Sequence, residues 1–333
     1  MRKTLLCMLL AFGMMGFAQL ALADNFSTAM AVVDSGVFRG PDDPGGADAA
    51  LPSDYSTNNP ASIASPASSA DGDKIKVNAS VVYNWLNFTR GPSVNVLTES
   101  VSAKLPVGVL QLNVTQGESG SPDHTLMGVD ADVALQSISI LYGLKVGENL
   151  LVQGDKLYLG ISGSPYSHSK LVFSVPGMDL LESKSDGYAV GGGFQYMLNE
   201  KLRVGGYYSY SSSNDHQFDF TTGSSERSRS NLHQARLGAS YKLNDRLFFA
   251  GELQYLNIEG TEKLQPFVGA ELAIVKDAVF LTAGYASHGP SVGLGVYGKN
   301  IGFAASYTYD LVQETKPFLG RTDLVTAMIY VSL

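Results

Sequence analysis

Tyr196-Met197-Leu198-Asn199-Glu200-Lys201-Leu202 and Tyr241-Lys242-Leu243-Asn244-Asp245-Arg246-Leu247 are two copies of one plan. In each, a strand ending in Tyr and Leu meets an Asn-acid-base turn, and a new strand starts on Leu. Asn suits such a turn because it tolerates positive φ and hydrogen-bonds its own backbone. Two further turns follow, at Lys276-Asp277 and at Gly298-Lys299-Asn300. The segments between them alternate with period two. Leu247, Phe249, Leu253 and Tyr255 share one face, against Arg246, Phe248, Glu252 and Gln254. Ile301, Phe303, Ala305, Tyr307, Tyr309 and Leu311 repeat the pattern against Gly302, Ala304, Ser306, Thr308 and Asp310. One face is apolar with aromatic ends; the other is small, polar or charged. Segments of about 10–13 residues exceed the ~5–6 of soluble sheets and match a tilted bilayer crossing. The pattern predicts an all-β fold, a transmembrane antiparallel β-barrel.

Composition agrees. The chain has 333 residues, 36 Gly, 17 Tyr and one Trp, and only 16% are charged. Beyond residue 23 no apolar run approaches the ~20 residues that a spanning helix needs. Residues 1–23 read as a signal peptide: Arg2-Lys3, an apolar run from Thr4 to Phe17, and Ala21-Leu22-Ala23 as the cleavage site. Cys7, the single cysteine, lies inside that run, so the mature chain has no disulfide and no thiolate site. Loss of Arg2 and Lys3 takes the formal charge from −8 to −10, which disfavours nucleic acid as a partner. No cofactor or metal is called for: His124, His168, His216 and His288 fall in or beside expected loops without metal spacing.

Residues 24–74 differ from the rest. They are rich in Ala, Ser, Asp, Pro and Gly, yet carry apolar anchors such as Phe26, Val37, Phe38 and Tyr55. The composition fits a disordered tail or a plug-like segment inside a barrel. The barrel itself is expected over 75–333. Its first strand alternates Ile75, Val77, Ala79, Val81, Tyr83 and Trp85 with Lys76, Asn78, Ser80, Val82 and Asn84. The next is weaker, with Glu99 on the apolar parity. From Thr125 to Val146 the apolar parity switches near Gln136-Ser137, which predicts a bulge in one long strand or a further turn. Ser164–Asp186 and Ser211–Ser230 read as two long external loops. The count is about 14 strands, with 12 and 16 also compatible.

The inward parity holds Met197, Phe248, Phe267, Phe280, Tyr297, Met328 and Tyr330 together with Arg203, Arg236, Arg246, Glu252 and Glu271. Aromatic and polar groups together suit an amphipathic or apolar solute; the same rings also suit the filling of a narrow barrel. Gly289-Pro290-Ser291-Val292-Gly293 has the G-x-S-x-G spacing but sits in an expected hairpin, not a strand-to-helix elbow. Gly293 to Gly298 matches G-x-G-x-x-G without the following helix that a dinucleotide site requires. His233, near Ser230 and Asn231, is the best enzymatic grouping, and a rim histidine is its simpler reading.

In plan, the chain resembles the FadL/TodX family of outer-membrane channels for long-chain fatty acids and aromatic hydrocarbons. The resemblance rests on the N-terminal segment, the strand count, the third and fourth external loops, and Asn59-Pro60-Ala61 ahead of the first strand. It implies a 14-stranded barrel in the outer membrane with an N-terminal hatch fixed by Asn59, Pro60 and Ala61. It also implies that Phe26 reaches a lumenal pocket and that the third strand, 109–117, bends inward as a lateral exit. Met197, Arg246, Phe248, Phe267 and Phe280 are then the candidate substrate-binding side chains. The expected partners are outer-membrane lipid and lipopolysaccharide and a hydrophobic small-molecule solute, and the chain is read as a channel, not an enzyme. A structural or surface-interaction barrel is the alternative, and a barrel lipid hydrolase a further one.

Overall fold

The computed structural model describes residues 77–89, 93–119, 130–175, 177–258, 260–286, 289–310 and 320–333. Segment 24–74, with Phe26 and Asn59-Pro60-Ala61, lies outside the described residues. The described residues form fourteen strands: β1 (Val77–Phe88), β2 (Val94–Lys104), β3 (Val109–Ser119), β4 (Asp130–Glu148), β5 (Lys156–Val175), β6 (Met178–Met197) and β7 (Leu202–Asp219), then β8 (Ser224–Lys242), β9 (Leu247–Ile258), β10 (Thr261–Val275), β11 (Val279–Ala286), β12 (Gly289–Tyr297), β13 (Ile301–Thr308) and β14 (Thr322–Ser332). Every strand pairs antiparallel with its sequence neighbours, and β1 closes on β14 from Asn78↔Ser332 to Phe88↔Thr322. Closure leaves no free edge, which a sheet in lipid requires.

The two quoted copies are the β6–β7 and β8–β9 turns. The Asn199 side-chain carbonyl accepts from the Lys201 and Leu202 amides, both at 2.8 Å. Asn244 does the same for Arg246 and Leu247, at 2.8 and 2.9 Å. Neither Asn has positive φ; that role falls to Asn149, Asp277 and Asp310. Asn199 and Asn244 therefore act here through side-chain caps.

Outward positions form an apolar belt that includes Val81, Leu112, Ile140, Ile161, Leu237, Leu253, Val268, Phe303 and Ile329, all exposed. Tyr83, Trp85, Tyr285, Tyr307 and Tyr309 lie on the same face toward the strand ends away from the short turns, and Tyr166, Tyr188 and Tyr208 lie on it within the taller β5–β7. An apolar band with an aromatic girdle is the outer surface of an outer-membrane barrel. The girdle is interrupted on β2–β4, where Asn95, Glu99, Gln116 and Gln136 take the outward positions.

The two expected long loops are instead strand. β5 and β6 are 20 residues each, and β7 and β8 are 18 and 19, against 8 or 9 in β11–β13. They pair up to Val175↔Met178 and Asp219↔Ser224, so the wall is tall over β4–β8 and low over β11–β13. The parity switch in β4 has the same origin. Even-numbered residues face outward from Asp132 to Ile140, and pairing with β3 is unbroken. Below Ile138 the outward positions are apolar. Above it they are Asp132, Ala134 and Gln136, while Val133 turns inward and is buried. The apolar side changes face where the strand leaves lipid. Bulges lie elsewhere in the β4–β5 ladder: Ser164 and Pro165 of β5 stand opposite the single Ser139 between the pairs Ile140↔Gly163 and Ile138↔Tyr166, and Val146 of β4 is extra between Lys145↔Tyr158 and Gly147↔Leu157. The Ser164 hydroxyl donates to the Ile138 carbonyl at 2.7 Å.

Candidate lumenal site

Inward parity on β1–β3 places uncharged hydrogen-bonding groups, Ser80, Asn84, Ser100, Ser102, Gln111 and Asn113, among the apolar Val82, Leu86, Phe88, Val94 and Val96, and all of them are buried. Thr326 donates to the Asn84 side-chain carbonyl at 2.8 Å, and Gln111 to Asn113 at 2.8 Å. Ser80 Oγ, Ser100 Oγ and Gln111 Oε1 have no hydrogen-bond partner among the described residues.

The facing sector is different. Arg236 on β8 lies at 3.4 Å from Glu252 on β9, with both side chains at 0% exposure. Its guanidinium stands 5.3 Å from the Tyr207 ring and 6.0 Å from the Phe267 ring, within the range at which a ring quadrupole attracts a cation. The register explains the grouping. Tyr207 pairs with Arg236 and Arg236 with Gln254, while Glu252 pairs with Phe267. Arg203, on β7 between Met197 and Ser240, has a buried Nη1 without a hydrogen-bond partner, and no carboxylate pairs with it among the described residues.

A third group sits nearer the short turns. Tyr297 packs against Phe280 and Tyr330, each with ring centroids 5.6 Å apart, beside the buried Val82, Ala304 and Met328. Gly302 makes room for it: a Cβ there would stand 2.0 Å from Tyr330 and 2.5 Å from Tyr297.

The sequence-derived candidates are thus distributed over separate groups. Phe267 joins the Arg236 group and Phe280 the aromatic group. Met197, the last residue of β6, stands beside Arg203. Phe248 faces inward opposite Glu271, near the short-turn end of β9. Arg246 is exposed in the β8–β9 turn, off the wall. Tyr207 was missed: in Gly205-Gly206-Tyr207-Tyr208-Ser209-Tyr210, consecutive tyrosines hide the parity that the register assigns.

Other sequence features resolve as wall. His233 faces outward, with its Nδ1 2.7 Å from the Tyr208 hydroxyl and its ring 5.0 Å from Tyr210. Ser230 lies on the opposite, lumenal parity and donates to Asp215, so the two do not form a nucleophile–base pair. Ser291 is not in a hairpin tip; it faces the lumen within β12 and is buried. β3 is paired without a register break to β2 and β4, so no gap opens in the wall at the third strand.

No family model matches the chain by sequence, and no curated protein does. Solved structures do match by shape. The toluene transporter TodX of Pseudomonas putida superposes with a TM-score of 0.51 at 12% identity, covering 87% of this chain and 95% of that one. The toluene transporter TbuX of Ralstonia pickettii gives 0.50 at 13% identity, covering 87% and 96%. A Pseudomonas aeruginosa FadL homologue gives 0.53 at 13% identity, covering 90% and 97%. The fold is that of the FadL/TodX-type channels.

Proposed function

We propose that this barrel is a passive outer-membrane channel for hydrophobic or amphipathic small molecules. The observation that carries the reading is the lumen around Arg236 and Arg203, where Tyr207, Phe267 and Met197 stand beside one buried and one half-buried guanidinium. Aromatic faces supply apolar contact, and a guanidinium supplies directional pairing to a carboxylate. Arg236 already has Glu252. Arg203 is the arginine available to a solute carboxylate, with Met197 beside it for an apolar tail. The resemblance in fold to proteins titled as toluene transporters and as a FadL homologue supports the same class.

Residues 24–74 are proposed as the lumen's stopper. A wall of 14 strands encloses more space than the ~8-strand barrels whose side chains fill them. Yet Gln111, Gln195 and Gln254 on its inner face are at 0% exposure, which supports a filled lumen over a water-filled pore.

Uptake into proteoliposomes tests the solute class. The channel is expected to pass an aromatic hydrocarbon and an aromatic or fatty carboxylate faster than a sugar of similar size. Arg203→Leu is expected to slow the carboxylate about ten-fold, the worth of one charge-assisted pair, and to leave the hydrocarbon unchanged. A sugar passing fastest would make the barrel a hydrophilic porin.

A further inference from the structure

The tall hairpins carry a feature that neither solute passage nor barrel closure requires. On their outward face, Lys170 of β5 pairs with Lys184 of β6, Lys184 with His216 of β7, and His216 with Arg227 of β8. Four basic side chains thus stand directly opposite one another across four strands. Like charges in such positions repel and destabilise a sheet. The row beneath reads His168, Asp186, Asn214 and Arg229 by the same register.

Two carboxylates offset part of this charge. Glu182 receives Lys184 at 2.5 Å and Lys170 at 3.0 Å, and Asp186 meets His168 at 2.7 Å. Among the described residues the arginines have no carboxylate: Arg229 donates to the buried Ser212 hydroxyl at 3.0 Å, and Arg227 and Arg229 are both exposed. With histidines neutral, the two rows hold four cations and one anion, Asp186, with Glu182 one outward position above them, a positive patch on a chain whose formal charge is −8.

Position identifies what neutralises it. Directly below the rows, on the same face, lie Tyr188, Tyr210 and His233, and below those the apolar belt. Tyr and Trp girdles mark the level where hydrocarbon ends. Each further outward position climbs about 6–7 Å along a strand, about 5 Å of height at a tilt near 40°, so the lower row stands in the headgroup layer of about 5–8 Å and the upper row, about 10 Å up, reaches back to it through its long Lys and Arg side chains. There the negative groups at hand are lipid phosphates.

We propose that the outward face of the β5–β8 extensions is a docking strip for the phosphorylated headgroups of outer-leaflet lipid, with Lys170, Lys184, Arg227 and Arg229 as the contacting cations. Phosphates interleaved between the strands turn a repulsive row into an attractive one, and tie the tall hairpins to the membrane surface. The proposal is independent of which solute passes the lumen.

The test uses the mature protein in nanodiscs of phosphatidylcholine, with and without a bisphosphorylated lipid A, read by native mass spectrometry of retained lipid. Wild type is expected to retain lipid A over phosphatidylcholine. The variant K170Q/K184Q/R227Q/R229Q is expected to retain it at least about ten-fold less, since each interfacial cation contributes about a five-fold preference. K170R/K184R, which keeps the charge, and K276Q/K299Q, at the other rim, are expected to retain it fully. Added inorganic phosphate at constant ionic strength is expected to displace none of it. Equal retention by the quadruple variant, equal loss in K276Q/K299Q, or displacement by inorganic phosphate would overturn the proposal.

Discussion

Single residues decide how the wall meets its two surroundings. Gly302 lets the Tyr297 and Tyr330 rings lie on the inner wall, and a side chain there must push them off. Gly302→Val is expected to cost about 1–3 kcal/mol, as overpacking does, and to weaken binding of an aromatic solute. Urea unfolding from lipid vesicles, followed by the fluorescence of Trp85, checks the stability. Wild-type stability and solute affinity in the variant would remove the aromatic group from the account. Glu99 is the opposite case. It faces lipid between Val81 and Val114, one outward position below the Tyr83 level. Glu99→Val is expected to stabilise the barrel by about 1 kcal/mol, because a carboxylate on the lipid face costs somewhat less than the ~2–4 kcal/mol of a mid-bilayer Lys or Arg. A destabilised variant in the same titration would mean that Glu99 has a partner in the membrane. Both residues were visible in sequence, Glu99 as a parity error and Gly302 as an inward glycine. What Gly302 accommodates was not, because Tyr297 and Tyr330 come from other strands.

Among the elements, turns and belt strands were legible, and the tall hairpins were not. Asn199 and Asn244 announced their turns because side-chain capping is a local property. Ser164–Asp186 and Ser211–Ser230 read as loops for a physical reason: outside lipid a strand no longer needs an apolar outer face, so the membrane alternation that identifies it stops. The face exchange in β4 at Gln136-Ser137 marked that boundary, although sequence alone suggested a bulge or a turn. The β4–β5 connection shows how a turn is held. The Asp155 carboxylate accepts the amides of Leu150, Leu151 and Val152 at 2.6, 2.6 and 2.9 Å, and the Tyr196 hydroxyl. Burial alone would raise its pKa, but these donors outweigh it and hold the carboxyl well below the usual range. A carboxyl depressed in the folded state contributes stability above its unfolded value near 4 and loses it as acid approaches the folded value. Asp155→Asn is therefore expected to be less stable than wild type at neutral pH, with the gap constant above about pH 5 and shrinking below about pH 4. Urea midpoints for both proteins across that range check it; a gap that persists unchanged to pH 3 would contradict the assignment.

At the scale of the molecule, the wall is a closed cylinder with one tall side. Hydroxyls and amides occur all round its inner surface, from Ser80 and Asn84 to Gln254, Gln265 and Thr326; the charged group of Arg236 and Glu252 with Tyr207 and Phe267 spans β7–β10, and the Phe280, Tyr297 and Tyr330 rings span β11–β14. A count of about fourteen, with 12 and 16 open, followed from turns and parity that are local in sequence, and the pairing of β1 with β14 fixes it. The assembly of Arg236, Glu252, Tyr207 and Phe267 did not follow from them, because it depends on registers among four strands. Deleting residues 24–69 is expected to turn a barrel of low conductance into an ion-conducting pore in planar bilayers, and unchanged conductance would remove the stopper from the account. The central claim is that the lumen holds an apolar or amphipathic solute, and native mass spectrometry of the detergent-solubilised mature protein tests it most directly. The account predicts a co-purifying fatty acid, detergent tail or aromatic compound, lost from Phe267→Ala and, for a carboxylate, from Arg203→Leu. An empty barrel that conducts small ions freely would contradict it.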